Sequence, residues 1–181
     1  LGLAADHPVL VGPLVIVDAL PFLAGPNMQV QTAEEAQAKA TAMATYMSQM
    51  TDAQWASYAK SGASTRFMVT SATDAARLIE WSGSTDRQTL TPALTEAYSV
   101  DLREEIGRIT APVLVLATWR GWHDQLAVSN IDVPKASFIE TFSAQYAGLS
   151  ALRFTLHDTG RHFIMWDDSE WFFSEIDAFL A

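Results

Sequence analysis

The sequence contains no cysteine. This absence excludes disulfide bonds, metal sites built from thiolates and a cysteine nucleophile. It does not assign the protein to a compartment, because cytosolic and exported proteins can both lack cysteine. The cellular location is therefore left open.

Basic residues are also scarce. The chain has 11 Lys and Arg against 21 Asp and Glu, which gives a formal net charge of −10 at pH 7, and the basic residues form no cluster. Surfaces that bind nucleic acids or anionic membranes need a basic patch. We therefore expect neither a nucleic acid nor an anionic membrane surface among the partners.

Long apolar runs are missing as well. No run approaches the roughly 20 residues of a membrane-spanning helix, and the first residues lack the basic start and the apolar stretch of a signal peptide. We expect no membrane span and no targeting segment. The chain opens without Met, at Leu1-Gly2-Leu3-Ala4, and we expect that its natural start lies upstream.

The residues that are present describe a chain with a core, since 49% are hydrophobic and 18% are charged. Two runs are apolar on both faces, Leu14-Val15-Ile16-Val17 and Val113-Leu114-Val115-Leu116, which is typical of strands inside a parallel sheet. A third run, residues 152–156, alternates apolar and polar side chains and predicts a strand nearer the edge. Parallel strands need long crossovers, so the predicted fold class is α/β.

The stretch between the first two strands is too long for one helix and contains several helix-start signals. Residues 32–35 and 51–54 both match the capping box, and Thr91-Pro92 offers an N-cap followed by proline at the first helical position. These signals predict a helical subdomain over residues 19–109. It would be inserted into an α/β core formed by residues 1–18 and 110–181.

A histidine near the C-terminus lies in a predicted turn, in the sequence Gly160-Arg161-His162-Phe163, between the third strand and an amphipathic last helix. The order of elements is a strand ending in Asp, a helical insert, the strand Ala-Pro-Val-Leu-Val-Leu, a further strand and then this turn. It resembles the C-terminal half of an α/β-hydrolase with a helical cap, over nearly the whole chain. The resemblance implies that the three strands are the sixth, seventh and eighth of that fold and that His162 is the catalytic histidine.

Chemistry of that family needs a serine on a strained strand-to-helix turn, a histidine that takes its proton and an acid that orients the histidine. The sequence has no Gly-x-Ser-x-Gly turn to supply the serine. The resemblance therefore implies a serine hydrolase of a carboxylic ester or related acyl bond whose nucleophile lies outside this chain. Alone the chain should be inert, and we expect a missing N-terminal half or a dimer mate to cover its open sheet.

The resemblance leaves two candidates for the acid. Asp124 is favoured because the family acid usually follows the seventh strand, although the loop here is longer than usual and carries two tryptophans. Asp18, at the end of the first strand, is the alternative, because some members supply their acid from that position. A carboxylate at a strand end can also simply cap the following turn.

Three aromatic residues, Phe22, Trp119 and Trp122, follow the carboxyl ends of strands, where ligands bind in open α/β sheets. They predict an apolar pocket for a small-molecule, ester-like substrate, and packing of the cap on the sheet is an equal alternative. No cofactor is expected. No metal site is expected either, because His157 and His162 are not accompanied by the further ligands that such a site needs.

A second hypothesis comes from a different class, a non-catalytic domain that resembles this fold and binds a partner through its exposed sheet edge. A binding domain has no need of a histidine in a turn after a strand with an acid upstream, and this pattern favours the enzyme. The sequence does not choose among the substrates that such a fold accepts.

Overall fold

The computed structural model describes residues 1–63, 65–128, 130 and 132–181. Its elements in chain order are α1 Gly2–Asp6, β1 Leu14–Val17, α2 Ala24–Met28, α3 Ala33–Gln49, α4 Asp52–Lys60, α5 Ala72–Ser84, α6 Arg87–Ser99, a 3-10 helix Glu105–Arg108, β2 Val113–Thr118, α7 Arg120–Ala127, α8 Lys135–Ala144, β3 Leu152–His157, α9 Ile164–Asp167 and α10 Ser169–Leu180.

The chain forms two compact units. The first contains Leu1–Leu20, Phe67–Asp74 and Leu102–Ala181, and the second contains Pro21–Arg66 and Ala75–Asp101. The domain boundaries expected from the sequence, 19–109 for a cap within a core of 1–18 and 110–181, stay a prediction.

The first unit contains a three-stranded parallel sheet in the order β1-β2-β3. Leu14 lies opposite Val113, and Val113 lies opposite Leu152. All three predicted strands are confirmed, and β2 extends two residues further than the apolar run that predicted it, to Thr118. At this level the α/β class is confirmed as a parallel sheet combined with helices.

Side chains of β2 alternate between two apolar clusters, as the pleat of a strand requires. On one face Val113 and Val115 pack in a cluster with Phe138, Phe142 and Tyr146. On the other face the cluster comprises Leu114 and Leu116 with Ile164 and Phe172. Every residue of β2 is buried, and the helices on both sides of the sheet are therefore held to this one strand.

Both flanking strands are less covered. In β3, Phe154 and Leu156 pack on the first cluster, while Arg153 is exposed and pairs with Glu175 of α10 at 2.8 Å. The four residues of β1 are each half-buried. Among the described residues β1 pairs only with β2, so its second edge is open.

The second unit is helical. Its core contains Phe22, Ala24, Val30 and Ala36, and α3 packs along α6. The predicted capping box of residues 51–54 is complete: the Thr51 hydroxyl accepts from the Gln54 N–H at 3.2 Å, and the Gln54 side chain accepts from the Thr51 N–H at 2.8 Å.

One predicted helix start is wrong. The structure places Thr91 and Pro92 inside α6, which begins at Arg87 with Asp86 as its N-cap. The Asp86 carboxylate accepts a hydrogen bond from the Thr89 N–H at 2.8 Å. It satisfies a first-turn donor and suits the positive end of the helix dipole, and proline one turn later forfeits only a single helical hydrogen bond.

None of the helices among the described residues is both long and apolar enough to cross a membrane.

Truncation of a buried β2 side chain is expected to destabilise the fold. Leu114 is fully buried, and Leu114→Ala should lower the free energy of unfolding by about 2–5 kcal/mol because it removes buried methyl groups and leaves a cavity. The matched control is Leu3→Ala, at a side chain that is 70% exposed, with an expected change of about 0.5 kcal/mol or less. Urea denaturation measures both, and equal losses would contradict the prediction.

Candidate functional site

The carboxyl ends of the three parallel strands lie along one edge of the sheet, where α/β proteins form their ligand sites. Asp18 directly follows β1, Thr118 ends β2 and His157 ends β3. The loop after β3 carries His162. The strand order therefore brings residues that are far apart in sequence to one edge.

His162 and Asp18 form a histidine–carboxylate pair. Nδ1 of His162 lies 3.0 Å from Oδ2 of Asp18. The Asp18 side chain is 3% exposed and the His162 side chain 44% exposed, so the acid is shielded while the ring is accessible. Because the carboxylate is an acceptor, Nδ1 donates its proton and Nε2 remains available to accept one from a reacting group.

Asp18 has an unusual backbone conformation that directs its carboxylate over the end of β2. Its φ is 41°, in the left-handed region that few residues other than glycine adopt. Its N–H donates to the Leu116 carbonyl at 2.7 Å, and its Oδ1 accepts from the Thr118 N–H at 3.1 Å. Backbone strain of this kind clusters at functional sites.

Tyr146 anchors the chain immediately after Asp18. This tyrosine follows α8, is completely buried and donates its hydroxyl proton to the Ala19 carbonyl. Burial, together with the negative charge of Asp18, raises the pKa of Tyr146 far above its ordinary value. The hydroxyl therefore keeps its proton and its role as donor.

Backbone hydrogen bonds hold the loop on both sides of His162. The Arg161 N–H donates to Oδ2 of Asp167 at 2.7 Å, and the Phe163 N–H donates to the Met68 carbonyl at 2.9 Å. The Phe163 ring also meets the His162 ring edge-on, with centroids 5.0 Å apart. These contacts restrict the positions that the imidazole can take.

Asp124 contacts basic side chains beside the loop that carries His162. Its Oδ2 accepts from Nη2 of Arg161 at 2.7 Å and from Nε of Arg120 at 3.1 Å, and its Oδ1 lies 3.2 Å from Nδ1 of His123. Burial alone would raise the pKa of Asp124. The hydrogen bonds from His123 and Arg161 and the charge of Arg120 outweigh burial and bring that pKa below its ordinary value.

Of the two candidate acids, the structure brings Asp18 to His162 and Asp124 to Arg161. Arg161, Tyr146 and Asp167 were not singled out from the sequence. For Arg161 a signal existed, since it is the cation directly before the predicted catalytic histidine. Tyr146 carried no local signal, because its partner Ala19 lies in another part of the chain.

The predicted pocket aromatics lie in different units. Trp119 and Trp122 are half-buried in the first unit, where Trp119 meets His123 edge-on at 4.8 Å and Trp122 meets Phe142 at 6.5 Å between ring centroids. Phe22 is completely buried in the core of the second unit. The substrate-binding role of all three stays a prediction.

The part of the chain that the structure describes contains no group of three or more His, Asp or Glu side chains suited to hold a metal ion. Comparison with protein-family models finds none that matches this sequence, and comparison with the curated proteins finds no match either.

The contribution of the Asp124 ion pairs to stability is expected to decrease at acidic pH. Its pKa is lowered in the folded state, so its contribution to stability is present above the ordinary carboxyl pKa of about 3.9 and is lost as the pH falls through the folded value. Asp124→Asn should destabilise the protein by about 1–3 kcal/mol at pH 7 and by less at pH 3.

Urea denaturation at both pH values measures this difference. The exposed carboxylate of Asp177 on α10 provides the control, and Asp177→Asn should change the stability little at either pH. A loss in Asp124→Asn that is the same at pH 7 and pH 3 would contradict the role of the ionised carboxylate.

Proposed function

We propose that this chain is the C-terminal part of an α/β-hydrolase with a helical cap, and that it contributes to a serine hydrolase acting on a carboxylic ester or related acyl bond. The observation that carries the proposal is the contact between His162 and Asp18 at the carboxyl edge of a parallel sheet. In this mechanism Nε2 of His162 takes the proton of a serine nucleophile. Asp18 keeps the imidazole in the required tautomer and stabilises the imidazolium.

The topology supports the proposal. In the resemblance, β1, β2 and β3 correspond to the sixth, seventh and eighth strands, and they are neighbours in that order. The helical unit follows β1 in sequence. The last helix, α10, contributes Phe172 to the apolar cluster on one face of β2, as the final helix of such a sheet would.

Asp18 is the acid of this proposal, in place of the Asp124 favoured by the sequence. Asp18 contacts the histidine directly and is almost fully shielded from water, where its charge acts most strongly. Both oxygens of Asp124 are engaged by other side chains. Asp124 then contributes by holding Arg161 beside the catalytic histidine.

The serine nucleophile and most of the oxyanion hole come from another polypeptide segment in this proposal, a missing N-terminal half or a dimer mate. The open edge of β1 supports it, because an unpaired strand edge is a template for a further strand. Exposed apolar side chains support it as well: Leu3 is 70%, Val9 92% and Leu10 78% exposed. A further segment that covered these side chains would remove apolar surface from water, which is favourable.

The substrate of the proposed enzyme is a small ester-like molecule. Phe22 is completely buried in the core of the second unit and has no surface to offer a substrate. An apolar acyl or alcohol group would lie against aromatic side chains of the first unit, for which Trp119 and Trp122 are the candidates. Among them, Trp119 immediately follows β2 and is half-buried. The site would need no cofactor, since acyl transfer by this mechanism uses only side chains and water.

The same exposed side chains at Leu3, Val9 and Leu10 favour the second candidate function, a non-catalytic domain that binds a protein partner. The two candidates differ in what the partner supplies. An enzyme requires that the partner carry a reactive serine, and a binding domain does not.

Intact mass, gel filtration and a serine-reactive fluorophosphonate probe applied to the native preparation should separate these candidates. We expect a companion polypeptide that coelutes with this chain and is labelled by the probe, because the proposal places the serine there. A monomer of 19.8 kDa that stays unlabelled would sink the enzyme proposal. A companion without labelling would support the binding domain.

Substitutions should then assign the histidine and the acid. His162→Ala and Asp18→Asn are each expected to reduce the rate of labelling by about 10⁴-fold, as removal of a triad member does. Asp124→Asn should retain a rate within about tenfold of the original, since in this proposal Asp124 only holds a neighbouring side chain. His7→Ala, at an exposed histidine of the first unit, serves as the control and should label normally.

Circular dichroism of each variant verifies folding. Asparagine tolerates the left-handed conformation of residue 18, which makes Asp18→Asn a conservative change. Full loss of labelling in Asp124→Asn with retention in Asp18→Asn would assign the acid to Asp124 instead. Normal labelling of His162→Ala would exclude the histidine from the mechanism.

A further inference from the structure

A second histidine–carboxylate pair lies at the end of β3. Nε2 of His157 is 3.1 Å from Oδ2 of Asp168. The imidazole packs edge-on against Trp171, with centroids 4.6 Å apart, and the residue is only 8% exposed. No part of the proposed mechanism uses this histidine.

The hydrogen bonds of His157 define its protonation state. Nδ1 accepts a hydrogen bond from the Gly160 backbone N–H at 2.7 Å, so this nitrogen carries no proton. The ring proton is therefore on Nε2, where it is donated to Asp168. His157 is a neutral imidazole that links the start of α10 to the turn after β3.

The turn is built tightly against this ring. A β-carbon at Gly160 would lie 2.7 Å from Nδ1 of His157 and 3.3 Å from its Cε1, so the turn has room only for glycine. Gly160 is separated from His162 by one residue, Arg161. A displacement of Gly160 therefore acts on the backbone that carries the His162 ring.

We propose that His157 is a positioning residue that holds the loop of His162 while neutral and releases it when protonated, so that the candidate site responds to pH. This inference rests on the proposed function only in giving His162 a catalytic role. The physical device is the contact between the His157 ring and the Gly160 N–H.

Protonation changes this contact from attraction to repulsion. A protonated imidazole carries N–H groups on both nitrogens, so two donors would face each other across the contact with Gly160. The turn must then open or rotate. The contact with Asp168 persists in both states, because Nε2 donates in each.

Among the described residues, Asp168 contacts the His157 ring and the Asp158–Lys135 pair adjoins it. Asp168 faces Nε2 and also caps α10, accepting from the Trp171 N–H at 3.0 Å. Asp158 directly follows His157 and is paired with Lys135 of α8. The two acids favour a positive charge on the ring, whereas burial of the ring and loss of the Gly160 hydrogen bond oppose it.

Two other attachments of the loop do not use an imidazole. The Phe163 N–H binds the Met68 carbonyl, which does not titrate, and the Arg161 N–H binds the Asp167 carboxylate. The His157 contact is the one among these three whose acceptor is an imidazole nitrogen, and protonation turns that acceptor into a donor.

Nitrogen-15 NMR of the full chain between pH 8 and pH 5 tests the proposal. On protonation of His157 we expect the Gly160 amide to exchange about fivefold faster, after correction for the intrinsic pH dependence, which is the factor that one lost hydrogen bond represents. The ring nitrogens of His162 should change at the same pH as those of His157.

His157→Asn provides the matched control. The asparagine Oδ1 can accept the Gly160 N–H in a local turn but does not titrate, so the part of the His162 response that follows His157 should vanish while the turn remains. Identical His162 curves in the two proteins would overturn the proposal. So would an unchanged Gly160 amide when His157 is protonated.

If His157→Asn does not fold, the original chain decides the question by whether the Gly160 and His162 signals change together with those of His157. These signals require no serine and no turnover, so failure of one proposal is distinguishable from failure of the other. Coupling without probe labelling would retain the switch and reject the hydrolase. Labelling without coupling would retain the hydrolase and reject the switch.

Discussion

Six consecutive residues of β2 are buried, so its backbone N–H and C=O groups need partners in neighbouring strands, where water cannot reach them. The strand is paired on both sides in parallel orientation. Parallel pairing places the carboxyl ends of all three strands along one edge. Asp18, Thr118 and His157 meet at that edge because of this pairing, and the loop that carries His162 leaves from it.

The strands were predictable from the sequence because burial on both faces leaves a local signature. Runs such as Val113 to Leu116 have no polar residue, and an α/β sheet is the architecture that covers both faces of a strand. The capping box at Thr51 was predictable for the same reason, since its donors and acceptors lie within one turn. The helix start predicted at Thr91-Pro92 was wrong because Asp86 caps the same helix one turn earlier.

The candidate site was only partly predictable. His162 could be singled out from its place after a strand, whereas the contact with Asp18 depends on a left-handed backbone at one residue, which neighbouring sequence does not reveal. Tyr146 and Ala19 meet only through the fold. The position of Asp124 after β2 favoured it as the acid that contacts His162. Its actual partner, Arg161, is determined by the fold and cannot be derived from sequence position.

The backbone of Asp18 has a consequence for the evolution of stability in this protein. Glycine adopts a left-handed conformation freely, while a residue with a β-carbon bears a steric cost of about 1 kcal/mol. A change to glycine at position 18 would relax the backbone and, in the same step, delete the carboxylate that faces His162. The same carboxylate accepts a hydrogen bond from the buried Thr118 N–H, and a buried donor left without its acceptor costs about 1–3 kcal/mol, which is at least as much as the strain that glycine relieves. Selection for stability alone would therefore tend to retain the strained aspartate, and with it the pair.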